Sequence, residues 1–402
     1  MTDKLCIAPF VHSHVGATYE RKLCCVAKTI PGMDKISTDE YWNSEYLKQV
    51  RLDMKAGKLV SDCQFCYDYE DHGVASLRHS LNGLYDVQEV VSRMEEDGTM
   101  LDPPSYFDYR TITCNLQCTT CDDANSSRHI PIVKQMFDKT ILHRVDVEYE
   151  RKLGSEIVEG LRNRTVRNIY WAGGEPMLMA AHWDVIDEME RLHADPSYRE
   201  YIASIPMFYN TNMTILYRNN RLIPEILSKF DVTIWASIDG VEETFEYCRD
   251  GAKWENVKEN WLVYKQYIPK TSITSVLSAP VLMDIDRYLD FFDSHGSNSF
   301  NHQYLQNIYN NLLDIRLWPQ HLFDQIIDHA IERTKQSVSE SREDTLSVLE
   351  MYKNQKKDFQ NVDYAFIKNE IQRRDKFLKN SQSFESLLKK IHTPAYEWYV
   401  GI

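Results

Sequence analysis

Between residues 105 and 306 the sequence alternates strand-like and helix-like runs six times. Strand patterns fall at 105–113, 167–172, 205–210, 231–237, 271–279 and 300–306. Helical periodicity falls at 128–142, 149–162, 182–193, 221–229, 254–267 and 285–294. Helices between consecutive strands act as crossovers, which makes the strands parallel. The expected core is an α/β fold, either an open parallel sheet or an incomplete barrel. Such folds gather ligands beyond the carboxyl ends of their strands, so the residues that follow each strand are where chemistry is to be sought.

Those positions are distinctive. After the first strand come Cys114, Cys118 and Cys121, spaced C-x3-C-x2-C. Gly173, Gly174, Glu175 and Pro176 follow the second, Asn212 the third, and Ser237, Ile238, Asp239 and Gly240 the fourth. Three thiolates within eight residues can wrap a loop around an iron–sulfur cluster. A 4Fe-4S cluster held by three of them keeps one iron open to a substrate or cofactor. Zinc wants four ligands, a disulfide framework wants an even count and an oxidising compartment, and inert buried thiols are a further reading.

The other cysteines are clustered too. They stand at 6, 24, 25, 63, 66 and 248, so eight of the nine lie in the first third of the chain. The start of the sequence has no signal-peptide apolar region. The chain therefore reads as cytoplasmic, where grouped cysteines are metal-binding or catalytic rather than disulfide-bonded. Cys6 opens an alternating run to Val15, residues 16–19 turn it, and the return passes through Cys24 and Cys25, which together predict a hairpin. A helix is expected over 38–57. Cys6, Cys24, Cys63 and Cys66 then supply four thiolates, enough to close a metal site, with zinc and a fully ligated 4Fe-4S cluster both open. Cys25 is left over as a packed thiol, and His12 and His14, on alternate positions of one strand face, read as packing residues or as outer partners of a metal site rather than ligands.

Lys and Arg number 46 against 60 Asp and Glu, a formal charge of −14 over 402 residues. An acidic surface argues against non-specific nucleic-acid binding, and no apolar run is long enough to span a bilayer. The domain reading is 1–75 for the first cysteine groups, 76–104 as a connector ending in Pro103 and Pro104, 105–310 as the α/β core, and 311–402 as a helical C-terminal extension. Helices are expected there at 320–336, 342–359 and 363–391, forming a cap or an interaction surface.

Taken together, the cysteine loop, the Gly-Gly-Glu-Pro run and the Ser-Ile-Asp-Gly run, in that order, resemble the radical S-adenosylmethionine (SAM) enzymes. The likeness is closest to the branch with an auxiliary-cluster domain of the SPASM/twitch type. It covers residues 105–306 and the cysteines of 1–75. The resemblance implies a partial (β/α)6 barrel, preceded here by a small hairpin-and-helix auxiliary domain. It implies that Cys114, Cys118 and Cys121 bind a 4Fe-4S cluster whose open iron chelates SAM. By the same resemblance Gly173, Gly174, Glu175 and Pro176 meet the methionyl amino group. Ser237 and Arg249 hold the SAM carboxylate, for which a guanidinium fork is suited, and Asn212 contacts ribose or substrate. Cys6, Cys24, Cys63 and Cys66 would bind a second, auxiliary 4Fe-4S cluster that relays electrons.

The implied reaction is reductive cleavage of SAM to a 5′-deoxyadenosyl radical, which abstracts a hydrogen from a peptide or small molecule. The outcome is oxidation, cross-linking or epimerisation, with a flavodoxin or ferredoxin as electron donor. Cys248 is a candidate catalytic hydrogen donor. The sequence departs from the pattern at Thr120, where a bulky apolar residue is usual, and at Tyr19, where Gly is usual. Its auxiliary cysteines also precede the core. The competing reading is a non-catalytic interaction protein with zinc at both cysteine sites.

Overall fold

The computed structural model describes residues 4–71, 73, 75–137, 144–295, 300–303, 311–380 and 382–402. The chain is mixed α/β, and its parallel central sheet has seven strands. It divides into two compact units. One comprises Met1–Thr113, Arg144–Tyr209 and Lys229–Val232; the other comprises Cys114–His143, Asn210–Ser228 and Thr233–Ile402.

The first unit holds β1 (His12–Val15), β2 (Arg21–Lys22), β3 (Tyr106–Thr111), β4 (Asn168–Gly173) and most of β5 (Pro206–Thr211). Their order is β5-β4-β3-β1-β2, all parallel except β2, which runs antiparallel to β1. The hairpin expected from 6–26 is present but short. Cys6 lies ahead of its first strand, because Pro9 sits in the opening turn of a helix, Ala8–Val11, where its missing N–H costs nothing. That hairpin is continuous with the core: His12 pairs with Tyr106 and Val15 with Tyr109 in parallel register.

Helices Val147–Arg162 and Ala180–Ala194 cover one face of this sheet. Asp146 caps the first of them by accepting from the Tyr149 amide at 3.0 Å. The two helices approach closely at Gly154, where a Cβ would stand 3.0 Å from that of Ala181. Alternation along the strands sends Ile169, Trp171 and Tyr209 to that face, each fully buried. The helix expected at 38–57 is two, Thr38–Trp42 and Glu45–Lys55. Ser44 caps the second through the Leu47 amide at 3.4 Å and so interrupts the run. The connector 76–104 carries two short helices, Leu77–Asn82 and Val87–Ser92.

The second unit holds a small ribbon of β6 (Tyr217–Arg218) and β7 (Arg221–Leu222), most of β8 (Asp231–Ser237), β9 (Thr271–Val276) and β10 (Phe300–Gln303). β8, β9 and β10 are parallel neighbours in that order. The remainder of the sixth expected strand, 304–306, lies outside the described residues, as does 138–142 of the first expected core helix. In the C-terminal extension Gln320–Gln336 is as expected and Arg342–Gln355 is four residues shorter. The run 363–391 is two helices, Tyr364–Asp375 and Phe384–Ile391, and a last one follows at Thr393–Gly401. After the break Ser383 caps the second helix by accepting the Ser386 amide at 3.1 Å, and Asp375 accepts the Phe384 amide at 2.7 Å. Among the described residues no helix is long and apolar enough to cross a membrane.

Candidate functional site

In the second unit, the loop carrying Cys114, Cys118 and Cys121 is held from several directions. Thr119 donates its amide to the Cys248 carbonyl at 2.9 Å, and Gln117 donates its own to the Asp250 carbonyl at 3.1 Å. His129 Nε2 reaches the Cys118 carbonyl at 3.0 Å. The C-terminal extension ties the same loop: Arg374 donates to the Thr119 carbonyl at 2.6 Å and Gln117 donates its side-chain amide to that of Phe377 at 2.5 Å.

N–H groups point at the sulfurs. The Leu116 amide lies 3.5 Å from Cys114 Sγ, Asn212 Nδ2 3.9 Å from the same sulfur, and Arg249 Nη1 3.8 Å from Cys118 Sγ. Donors of this kind favour a thiolate over a thiol and tune a sulfur-ligated cluster. Burial pushes the Cys118 thiol up to about 12, against the pull of Arg249, and raises Cys121 well above the usual range, with Cys118, Asp122 and Cys114 adding to the effect. The three sulfurs thus stand close enough to feel one another. A metal ion or cluster would have to displace their protons.

Arg249, at the end of the helix Glu242–Cys248, pairs with Asp239 at 2.8 Å, and Asp239 also accepts the Val276 amide at 2.8 Å. The neighbouring acids go elsewhere: Glu242 to Arg287 and Glu246 to Lys253. Asn212 organises the cysteine loop, donating to Asn115 Oδ1 at 3.0 Å and accepting the Thr214 amide at 3.0 Å. Ser237 closes β8, half-buried. Cys248 is fully buried, its thiol pushed up by burial beside Asp239 and hydrogen-bonded to Ser278. Sequence reasoning missed the Arg374 and Gln117 ties. Their only signal was an Arg and a Gln in otherwise polar stretches.

In the first unit, Gly173 ends β4 at φ +105°, and a Cβ there would fall 2.4 Å from the Thr111 carbonyl oxygen. The Gly174 amide donates to that carbonyl at 2.6 Å and the Glu175 amide to Thr113 at 2.8 Å. Only glycine permits both the backbone angle and the approach. Glu175 is fully buried and accepts the Met177 amide at 3.0 Å, fixing the turn in which Pro176 begins a short 3-10 helix.

The same unit brings Cys6, Cys24, Cys63 and Cys66 around one small apolar cavity, beside Leu23 and Leu81. Burial pushes Cys6 up to about 12 and raises Cys24, Cys63 and Cys66 as well. A tetrahedral zinc site needs its sulfurs about 3.8 Å apart, given a Zn–S bond of about 2.3 Å. Among the described residues no three cysteine sulfurs lie within 4.8 Å of one another; the one group that does meet that spacing is His12, His14 and Asp108. A cavity of about 600 Å³ lies at the strand starts of the first unit, lined by Tyr85, Arg93, Met100, Arg167 and Asn168 among others.

No family model and no curated protein matches the sequence. Solved structures do. Native anSMEcpe with bound AdoMet matches at a TM-score of 0.40 and 15% identity, over 59% of this chain and 63% of that one. Streptococcus suis SuiB bound to S-adenosylmethionine matches at 0.37 and 15%, over 72% and 62%. TYW1 with a lysine-pyruvate adduct bound matches at 0.30 and 12%, over 56% and 72%. The chain spans less than two thirds of the length of the first two.

Proposed function

We propose that this chain is a radical SAM enzyme acting on a peptide or small molecule. The observation that carries the reading is the Cys114–Cys118–Cys121 loop: three mutually close thiols, with N–H donors aimed at two of them. That donor set fits a 4Fe-4S cluster with one iron left open. With SAM bound, such a cluster supplies reductive cleavage to a 5′-deoxyadenosyl radical.

The rest of the work falls to the chain. Cys114, Cys118 and Cys121 hold the cluster; Arg249 donates to Cys118 and offsets its charge. Gly173, Gly174, Glu175 and Pro176 present backbone to the methionyl amino group, with Glu175 fixing the turn. Ser237 and Arg249 serve the SAM carboxylate, Asn212 the ribose or substrate, and Cys248 supplies a hydrogen atom to a substrate radical. Arg249 already has the Asp239 carboxylate, so its role toward SAM is shared with that partner. Cys6, Cys24, Cys63 and Cys66 hold an auxiliary 4Fe-4S cluster that relays electrons; their common cavity supports a shared site. The electron donor is a flavodoxin or ferredoxin, and the core is a partial (β/α)6 barrel in a cytoplasmic protein.

The test is anaerobic iron and sulfide quantitation with EPR of the reduced protein, with and without SAM. The expected result is about eight irons per chain, from two four-iron clusters of which SAM perturbs one. About four irons, SAM-sensitive, removes the auxiliary cluster and keeps the radical reading. A redox-silent protein holding zinc ends it.

A further inference from the structure

Strand β1 carries two histidines that the proposed function does not use. His12 and His14 point to the same face of the sheet, and the parallel register sets His14 directly beside Asp108 on β3. His14 Nδ1 lies 2.9 Å from Asp108 Oδ2, and His12 Nε2 lies 3.9 Å from the same oxygen. All three ligand atoms fall within 4.8 Å of one another. The three residues are 3%, 1% and 1% exposed.

Three buried groups converge here. His14 Nδ1 has the Asp108 carboxylate as its partner, and His12 has a backbone partner at Leu23 and faces the same carboxylate. Arg110 grips the same carboxylate from outside, Nε to Oδ1 at 3.0 Å and Nη2 to Oδ2 at 3.1 Å, and fixes its plane as outer partners of ligating carboxylates do.

We propose that His12, His14 and Asp108 form a binding site for one divalent transition-metal ion, zinc or ferrous iron, separate from both cysteine sites. Two imidazoles and a carboxylate with further positions open are a ligand set that both ions accept. Arg110 cancels the charge of Asp108, so a dication here calls for another anionic donor. Cys25, the thiol left over by the four-cysteine cavity, lies near enough to Arg110 and Asp108 to feel both charges. The proposal stands on the first unit alone and does not depend on the radical reading.

The experiment is elemental analysis of the anaerobically purified full chain, equilibrated with micromolar zinc or ferrous iron and desalted, with acid-labile sulfide counted alongside. Clusters carry iron and sulfide one to one, so the site shows as metal in excess of sulfide. Loss of one metal equivalent in His14→Gln and in Asp108→Asn, with sulfide unchanged, is the expected result, and the element lost tells zinc from iron. An unchanged metal-to-sulfide difference in both variants overturns the proposal. Should either variant lose sulfide as well, X-ray absorption on the wild-type protein decides. A zinc or excess-iron shell containing nitrogen and oxygen upholds the site, and a shell of sulfur alone overturns it.

Discussion

Arg374 donates to the backbone carbonyl of Thr119 at 2.6 Å across a separation of 255 residues, and its other terminal nitrogen reaches the Tyr247 hydroxyl at 3.3 Å. A residue from the C-terminal helices thus holds the middle of the cysteine loop. Replacing it with leucine leaves a buried carbonyl without its donor, at a cost of about 1–3 kcal/mol. The expected outcome in Arg374→Leu is a folded protein whose SAM-sensitive cluster is lost several-fold faster to a chelator. Equal loss rates would reduce the contact to packing.

Asp239 and Arg249 form a buried pair next to Cys118. Removing one member strands the other charge, a loss of about 3–5 kcal/mol. Asp239→Asn should therefore lower the melting temperature more than Arg249→Lys, which keeps a cation. Both variants should weaken SAM binding, read by isothermal titration. Tight SAM binding in Arg249→Lys would remove the guanidinium from the SAM site.

Gly173 permits no side chain at φ +105° with the Thr111 oxygen 2.4 Å from its Cβ position. In Gly173→Ala the turn must shift, at about 1–3 kcal/mol for a strained residue. SAM affinity is expected to fall at least tenfold while iron content holds. A change in iron instead would tie the turn to cluster retention.

Cys63→Ser removes one of four thiols around their shared cavity. Iron should drop by about four per chain if the cavity holds a four-iron cluster. SAM cleavage should persist, while any product that requires electron relay is lost. Because metal binding contributes to folding stability, chelation of the wild-type protein should also lower the unfolding temperature of the first unit.

Much of this was legible in the sequence where a residue's role depends on near neighbours. All six expected core strands recur within a few residues of the expected bounds, because period-two alternation and flanking turns are local signals. The grouping of Cys6, Cys24, Cys63 and Cys66 was legible because cysteines are rare and clustered. Pairings between distant residues were not. His12 and His14 announced a shared face, but Asp108 joins them only through the parallel register of β1 with β3, which no local pattern encodes. Arg249 has Glu242 and Glu246 as its acidic neighbours in sequence but meets Asp239, just beyond the end of β8. The breaks at Asn43 and after Asp375 were hidden because helical periodicity continues through them.

The tie between Arg374 and Thr119 also sets an order of events. Ribosomes lengthen a chain by roughly 5–20 residues per second. All nine cysteines have been synthesised by residue 248, but the residues that bind the loop down, Arg374, Phe377 and the Lys379 and Asn380 amides that Asp250 accepts, come last. For some seconds during synthesis the ligands exist without the structure that retains what they bind. Firm retention of anything the Cys114–Cys121 loop binds therefore waits on the C-terminal helices.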